Sequence, residues 1–429
     1  MVRLKRGVFR LVRAALLRRV RAQPRPQDRV GAERRVTILL TTAWGMGGTI
    51  RANLNLARHL AAAGYEVEII SIGRHRDEPF FGAFPPAVRV VALEDRRKGA
   101  RRPPLQRLLR TRSSVFMHPA DRTFEGWNLW VDLMLVRRLR RRCGFLIATR
   151  PGLNIVAARL APPGLVLIGQ EQMHLQHHVE DLRRAMPRLY PRLDALAVLT
   201  ERDGESYAAH MNGGVRTVRI PNTVRDMGPG RADLSAPIAF AAGRLTPQKG
   251  YDMLIPAWAA VAERHPDWRL RICGEGKDRA KLEQLIRDHG VGEQVALEGP
   301  AADIGTDMQR SSLFVLSSRH EGLPLVLLEA MSKGMAVVSF DCPTGPADVI
   351  EDRRNGLLVP PRDVAALAAA IVELIEDEDL RRRCGEGAAA TARDYRMDAV
   401  GPRWESLLTE LWESRSSSSS QSAPTAAPS

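Results

Sequence analysis

A chain of 429 residues with 44% hydrophobic side chains is too long for one ordinary core and is expected to form two domains. It has no apolar run near the roughly 20 residues that span a bilayer, no apolar centre of a signal peptide, and four cysteines (Cys143, Cys273, Cys342, Cys384) without metal-ligand spacing. Those features point to a cytoplasmic chain with reduced thiols. The net charge of +15 comes with only 5% aromatics and no recognised nucleic-acid motif, so nucleic acid is not expected as a partner.

The charge is concentrated at the start. Residues 1–35 hold twelve Lys and Arg against Asp28 and Glu33, two thirds of the whole excess. Val2, Val8, Phe9, Leu11, Val12, Leu16, Leu17 and Val20 recur among the arginines at near-helical spacing, which predicts a basic amphipathic leader over 1–35. Two readings stay open: it lies on an anionic membrane surface through residues 2–21, or it is a solvated, frayed leader.

Residues 36–42 read as a buried parallel strand, followed by the loop Trp44-Gly45-Met46-Gly47-Gly48, a helix from about 49 to 63 and a strand at 65–72. Such a start opens a nucleotide-binding fold, with glycines that let a ligand approach the backbone. Residues 74–125, rich in Arg and Pro, look like a long excursion that either carries substrate contacts or is mobile. Strands at 145–149, 165–169, 195–200 and 215–220 alternate with helical patterns, so 36–223 is expected to be a Rossmann-like domain. Residues 224–231, with their Gly/Pro break, read as a linker. A second Rossmann-like domain over 236–395 is predicted from strands at 238–242, 269–273, 294–297, 313–317, 336–340 and 357–359. From Val364 the pattern is helical; residues 396–413 are expected to cross back onto the first domain, and 414–429 to be a disordered tail. The fold class is α/β, two Rossmann-like domains facing each other across a cleft.

Residues 319–330 hold two carboxylates, Glu321 and Glu329, eight apart around a strand-to-helix turn. Glu321 falls in the loop at a strand's carboxyl end, where doubly wound sheets bind ligands, and Pro324 suits a helix start. Glu329 follows on that helix, leaning back toward the same end. An ordinary amphipathic helix with one solvated Glu is the plainer alternative. The first strand of the second series ends in Gly243-Arg244-Leu245-Thr246-Pro247-Gln248-Lys249-Gly250. A guanidinium fork, an ammonium and the start of a helix near Tyr251 form a diphosphate cradle there, or else a surface turn with two solvated cations. Cations suit a leaving diphosphate and carboxylates suit polyols; a ligand that needs both is a nucleotide-sugar.

On these motifs the chain resembles the retaining glycosyltransferases of family 4, built on the GT-B architecture, over roughly residues 36–412. The resemblance rests on Glu321 and Glu329 with Gly322 and Pro324 between them, on Gly243-Arg244 with Lys249, on Asn355-Gly356-Leu357-Leu358-Val359, and on the loop Gly45 to Gly48 with Arg51. It implies that Arg244 and Lys249 bind and stabilise the leaving diphosphate, that Glu321 contacts donor-sugar hydroxyls and that Glu329 accepts from the ribose. Gly47, Gly48, Gly243, Gly322, Leu323, Pro324 and Leu325 would line the donor site, with Gly274 and Gly276 near the base or forming only a turn. Pro324 has no N–H to offer. A first-domain histidine near the reacting sugar would be His174, or Gln172 stands in its place; His118 is a weaker candidate. Residues 341–346 resemble members that use UDP-sugars, or are only a helix entry shaped by Gly and Pro.

The expected reaction is transfer of a hexose-type sugar, with retention, from a UDP-sugar to a membrane-associated, lipid-linked or polyanionic cell-envelope acceptor. Neither metal nor other cofactor is expected, since no Asp-x-Asp cluster of metal-binding type appears. The enzyme would be cytoplasmic, peripheral on the inner face of the plasma membrane. A sugar-nucleotide epimerase of the same architecture and a non-catalytic nucleotide-sugar-binding protein are the alternatives.

Overall fold

The computed structural model describes residues 2–301 and 303–421, and the chain divides into two compact units. The first comprises residues 1–199, 203–220 and 401–429; the second comprises 200–202 and 221–400.

The first unit is built on a seven-stranded parallel sheet. Its strands are β1 (Arg35–Leu40), β2 (Glu66–Arg74), β3 (Val88–Asp95), β4 (Gly144–Ala148), β5 (Leu165–Gln170), β6 (Ala195–Val198) and β7 (Thr217–Arg219), in the order β3-β2-β1-β4-β5-β6-β7. Apolar, β-branched runs such as Val36 to Leu40, buried throughout, are what a sheet covered on both faces requires. The excursion expected over 74–125 is partly regular. It contributes the edge strand β3, in register with β2, and a short helix, Pro104–Arg110. Charges at Arg89, Glu94 and Asp95 interrupt the apolar run there and hide the strand from a pattern reading.

The basic leader is a helix, Val2–Val20, and part of its apolar stripe packs into the first unit rather than standing free. Leu16 and Val20 are buried in that core, and Val12 and Leu17 pack against it. Arg21 donates to the carbonyls of Leu160 and Arg159 at 3.0 and 2.9 Å. Phe9 and Leu11 remain exposed, as do Arg10, Arg13, Arg18 and Arg19.

The second unit carries a six-stranded parallel sheet: β8 (Ile238–Ala242), β9 (Arg269–Cys273), β10 (Val295–Gly299), β11 (Leu313–Leu316), β12 (Ala336–Phe340) and β13 (Leu357–Val359), in the order β10-β9-β8-β11-β12-β13. The order reverses between β8 and β11, the kind of switch point at which a crevice opens at the strands' carboxyl ends. The expected linker is part of this unit. Val224 N–H donates to the Tyr395 carbonyl at 2.8 Å, and the buried Lys333 ammonium donates to the carbonyls of Gly228, Pro229 and Gly230. Lys333 gives no pattern signal, so the segment reads as loose when its carbonyls are in fact satisfied.

After helices Val364–Glu376 and Glu378–Arg393 comes the long helix Met397–Gln421, which joins the first unit from Gly401 onward. Trp412 stacks at 5.6 Å on Phe145, Glu405 meets His59 Nε2 at 2.9 Å, and Arg415 donates to the Leu165 carbonyl at 2.7 Å. The helix continues past the point where the tail was expected to become disordered at 414. Ser414, Ser416 and Ser417 turn their hydroxyls back onto carbonyls four residues earlier, which seats serine in a helix. Residues 422–429 of that expected tail lie outside the described residues.

Candidate active site

At the carboxyl ends of β8 and β11, adjacent parallel strands, the two sequence motifs meet. Lys249 Nζ lies 2.7 Å from Glu321 Oε1, and Ser318 Oγ donates to the same oxygen at 2.6 Å. Both charged side chains are largely buried, at 14% and 9% exposure. Withdrawing two ions from water is offset only by close pairing and further hydrogen bonds, which Ser318 supplies. Among the described residues no protein group engages Glu321 Oε2, so that oxygen is left to accept from a ligand hydroxyl. Thr344 Oγ1 donates to the Glu321 carbonyl at 2.8 Å and ties the loop after β12 to it.

The loops that carry these groups interlock through glycine. At Gly250, with φ of 67°, a Cβ would sit 2.0 Å from the Ser317 carbonyl oxygen, so only glycine lets the Lys249 turn close onto β11. A Cβ at Gly274 would lie 1.9 Å from the Gly243 carbonyl oxygen, which brings the ends of β9 and β8 together. Gly276 abuts Leu245, and Gly322 abuts Gly345, in the same manner. Gly274 and Gly276, expected near the base, therefore also have a packing role. Tyr251, buried beside this junction, keeps its phenol proton, first because of burial and second because of the Glu321 charge.

The remaining expected donor residues divide. Leu323 is buried, and Pro324 caps helix Leu325–Ser332. Glu329 on that helix is 5% exposed and paired with Arg225, Nε to Oε1 at 3.0 Å. The two acids thus have separate cations, Lys249 for Glu321 and Arg225 for Glu329. Arg225 escaped the sequence reading because it lies in the stretch taken as linker; Ser318, three residues before Glu321, had no signal beyond that spacing. Arg244 is exposed and among the described residues has no side-chain partner, which leaves its fork open to solvent.

Beside Gly274, a hollow of about 320 Å³ is lined by Cys273, Glu298, Gly299, Pro300, Asp303 and Asp307. Gly274 N–H donates to the Gly299 carbonyl at 2.7 Å, and Arg271 holds Glu298 bidentately at 2.6 Å and Asp307 at 3.0 Å. Burial, then the neighbouring Glu298 charge, pushes the Cys273 thiol up to about 12, so it is no nucleophile at neutral pH.

In the first unit, Gly47 and Gly48 lie between β1 and helix Gly48–Ala62. His174 follows β5; its Nδ1 lies 3.0 Å from Oδ1 of Asp203, a buried carboxylate. An ionised carboxylate only accepts, so Nδ1 carries the proton and a neutral ring presents its Nε2 lone pair. Gln172 donates to Gln170 at 3.3 Å. His118, partly buried, has its imidazole held below the usual histidine range by desolvation and by Arg159. Behind His174 is a buried network. Glu171 Oε1 accepts from Tyr190 Oη at 2.5 Å and Asn154 Nδ2 at 2.9 Å, and Tyr207 Oη donates to the Met173 carbonyl at 3.1 Å while lying 2.7 Å from His178 Nε2. The network braces the loop after β5.

Comparison with known proteins places residues 226–391, within the second unit, in the family Glycosyl transferases group 1. An exopolysaccharide phosphotransferase of Streptomyces coelicolor is 35% identical over 390 residues, covering 88% of this chain, and the chain spans 41% of that relative's length. A Haemophilus influenzae protein described as an uncharacterized glycosyltransferase is 24% identical over 372 residues, covering 84% of this chain and 96% of its own. Among solved structures, a mutant of Staphylococcus aureus TarM in complex with Fondaparinux, alpha-GlcNAc-glycerol and UDP has a TM-score of 0.70 at 14% identity, covering 87% of this chain and 99% of that one. The two-domain α/β fold is therefore shared along nearly the whole length.

Proposed function

We propose that this chain, whose residues 226–391 match the family Glycosyl transferases group 1, transfers a hexose-type sugar from a UDP-sugar to a polymer of the cell envelope, with retention, as in family 4. The observation that carries the proposal is the Lys249–Glu321 pair at the β8/β11 switch point, with Oε2 of Glu321 open. The UDP-bound TarM structure and the relative named for exopolysaccharide chemistry support the choice of donor and acceptor.

In this reading Glu321 Oε2 accepts from a donor-sugar hydroxyl. Lys249, already held at the acid's other oxygen, and Arg244 face the diphosphate. Glycosyl transfer separates a cationic sugar from an anionic diphosphate, so cations fixed in advance lower the barrier where negative charge grows. Two such side chains do this without a metal. Glu329, oriented by Arg225, accepts from the ribose, and the hollow beside Gly274 and Gly276 takes the base. His174, its tautomer set by Asp203, acts at the reacting sugar. Phe9, Leu11 and the exposed arginines of helix Val2–Val20 suit peripheral attachment to an anionic membrane at the cytoplasmic face.

The test is to incubate the chain with UDP-, GDP- and ADP-sugars, with and without an envelope polysaccharide fraction, while following nucleotide release, sugar incorporation and thermal shift. Polymer-dependent release of UDP with incorporation is expected, and UDP-sugars should raise Tm because they bind the native state. An isomerised nucleotide-sugar in the donor-only arm would favour an epimerase; tight donor binding without turnover would favour a non-catalytic binder.

A further inference from the structure

In the first unit, the carboxyl ends of the parallel neighbours β1 and β2 carry a group of aromatic and cationic side chains that the donor chemistry does not use. Trp44 lies edge-on to Phe84, with ring centroids 5.1 Å apart, and Phe80 lies edge-on to Phe81 at the same distance. Three guanidinium groups cover these rings: Arg74 over Trp44 at 5.2 Å, Arg51 over Phe81 at 4.7 Å and Arg76 over Phe80 at 5.7 Å. The segment is docked through Phe80 N–H, which donates to the Trp44 carbonyl, and through Arg74, which donates to the carbonyls of Arg76 and Asp77. Yet Phe80 is 47% exposed and Met46 is 61% exposed at its rim. Asp77 shares the Arg97 cation with Asp95, and Glu78 is the other acid in this segment.

We infer that this surface, formed by Phe80, Phe81, Arg51, Arg74 and Arg76 over the buried Trp44, binds an acidic polysaccharide, and that it is the acceptor's docking site. Calling the ligand the acceptor rests on the transferase reading above; the binding itself does not. Aromatic rings present flat apolar faces that suit the C–H faces of sugar rings. A guanidinium stacked on a ring still presents N–H groups at its edge, the geometry that a carboxylate or phosphate accepts. Partial desolvation by the ring also strengthens the cation's attraction for an anion. Stacking faces interleaved with guanidinium edges therefore match a chain of sugars carrying a repeating anion, either uronate or phosphodiester. A neutral glycan would use the rings but gain nothing from the cations.

The experiment measures binding of the full chain to alginate, to a phosphodiester-linked glycerol polymer and to neutral dextran at low and moderate salt. It compares wild type with Arg76→Ala, Phe80→Ala and the double variant, chosen because both side chains lie at the outer edge of the surface and melting can verify the fold. Wild type is expected to bind at least one acidic polymer about tenfold or more tightly than dextran, with weakening in salt; which polymer binds names the anion. The double variant should lose about tenfold or more of that affinity, and KM for the polymeric acceptor should rise while kcat and donor-only UDP-sugar hydrolysis stay unchanged. Equal affinity of wild type and double variant for both acidic polymers, or dextran bound as tightly, would overturn the inference. A wild type that binds acidic polymer through these residues but never releases UDP would defeat the transferase reading and leave the surface standing.

Discussion

The two parallel sheets use their carboxyl ends differently. In the second unit the loops interlock through glycine, and two buried acids each have a cation: Glu321 has Lys249, and Glu329 has the partly exposed Arg225. In the first unit the loop after β5 is braced from behind by a buried polar network around Glu171, while the rim beyond β1 and β2 is aromatic, cationic and partly exposed. On the proposed function, the contrast separates a side built for a constant ligand from one built for a variable partner. Fixed charges held out of water suit one anionic leaving group that recurs in every turnover; an exposed rim suits a partner that varies along its length.

Replacing Glu321 by Ala should test the second unit hardest. Loss of the acceptor oxygen and an unpaired Lys249 should cut kcat by about a hundredfold or more, read as UDP release, with Glu321→Gln intermediate in stability and equally slow. Variants retaining wild-type turnover would mean that the pair is structural only. Breaking the interlock instead, Gly250→Val drives a branched side chain into the Ser317 carbonyl at a φ of 67° and should cost about 3 kcal/mol or more in chemical denaturation. An unchanged midpoint would show that the loops close by another route.

A titration probes the first unit. Asp132, fully buried and held by Ser114 Oγ at 2.8 Å and Val115 N–H at 2.6 Å, has its carboxyl pushed up to about 7 by burial. Its folded value lies above its unfolded value, so its contribution to stability is present at low pH and is lost as pH rises through about 7. Relative to Asp132→Asn, the wild type should therefore lose about 2 kcal/mol between pH 5 and pH 7 in urea unfolding. A pH-independent gap would refute it. The smallest effect is expected at Phe9→Glu with Leu11→Glu: under about 0.5 kcal/mol in stability, because both side chains are exposed, but reduced sedimentation with anionic vesicles. Substitution is the right tool here, since deleting the helix would also remove Leu16 and Val20 from the core.

Much of this architecture was legible from residue order alone. Twelve of the thirteen strands among the described residues follow from runs such as residues 36–42 and 336–340, because a parallel sheet covered on both faces demands unbroken apolar stretches. The motif residues Lys249 and Glu321 could likewise be found from strand ends and helix starts, since those positions depend on local geometry. The missed strand β3 carries charges that an apolar pattern does not reveal: Arg89 is exposed at the sheet edge, and the buried Glu94 is paired with Arg96 and Arg110. Folding alone decided the rest. Partners such as Arg225 for Glu329 and Asp203 for His174 are far apart in the chain and share no period. The same holds for the carbonyls that meet the Lys333 ammonium and for the stacking of Arg74 on Trp44. Local propensity acts over a few residues, whereas burial of a charge is settled by whichever distant group reaches it, and only the folded chain makes that choice.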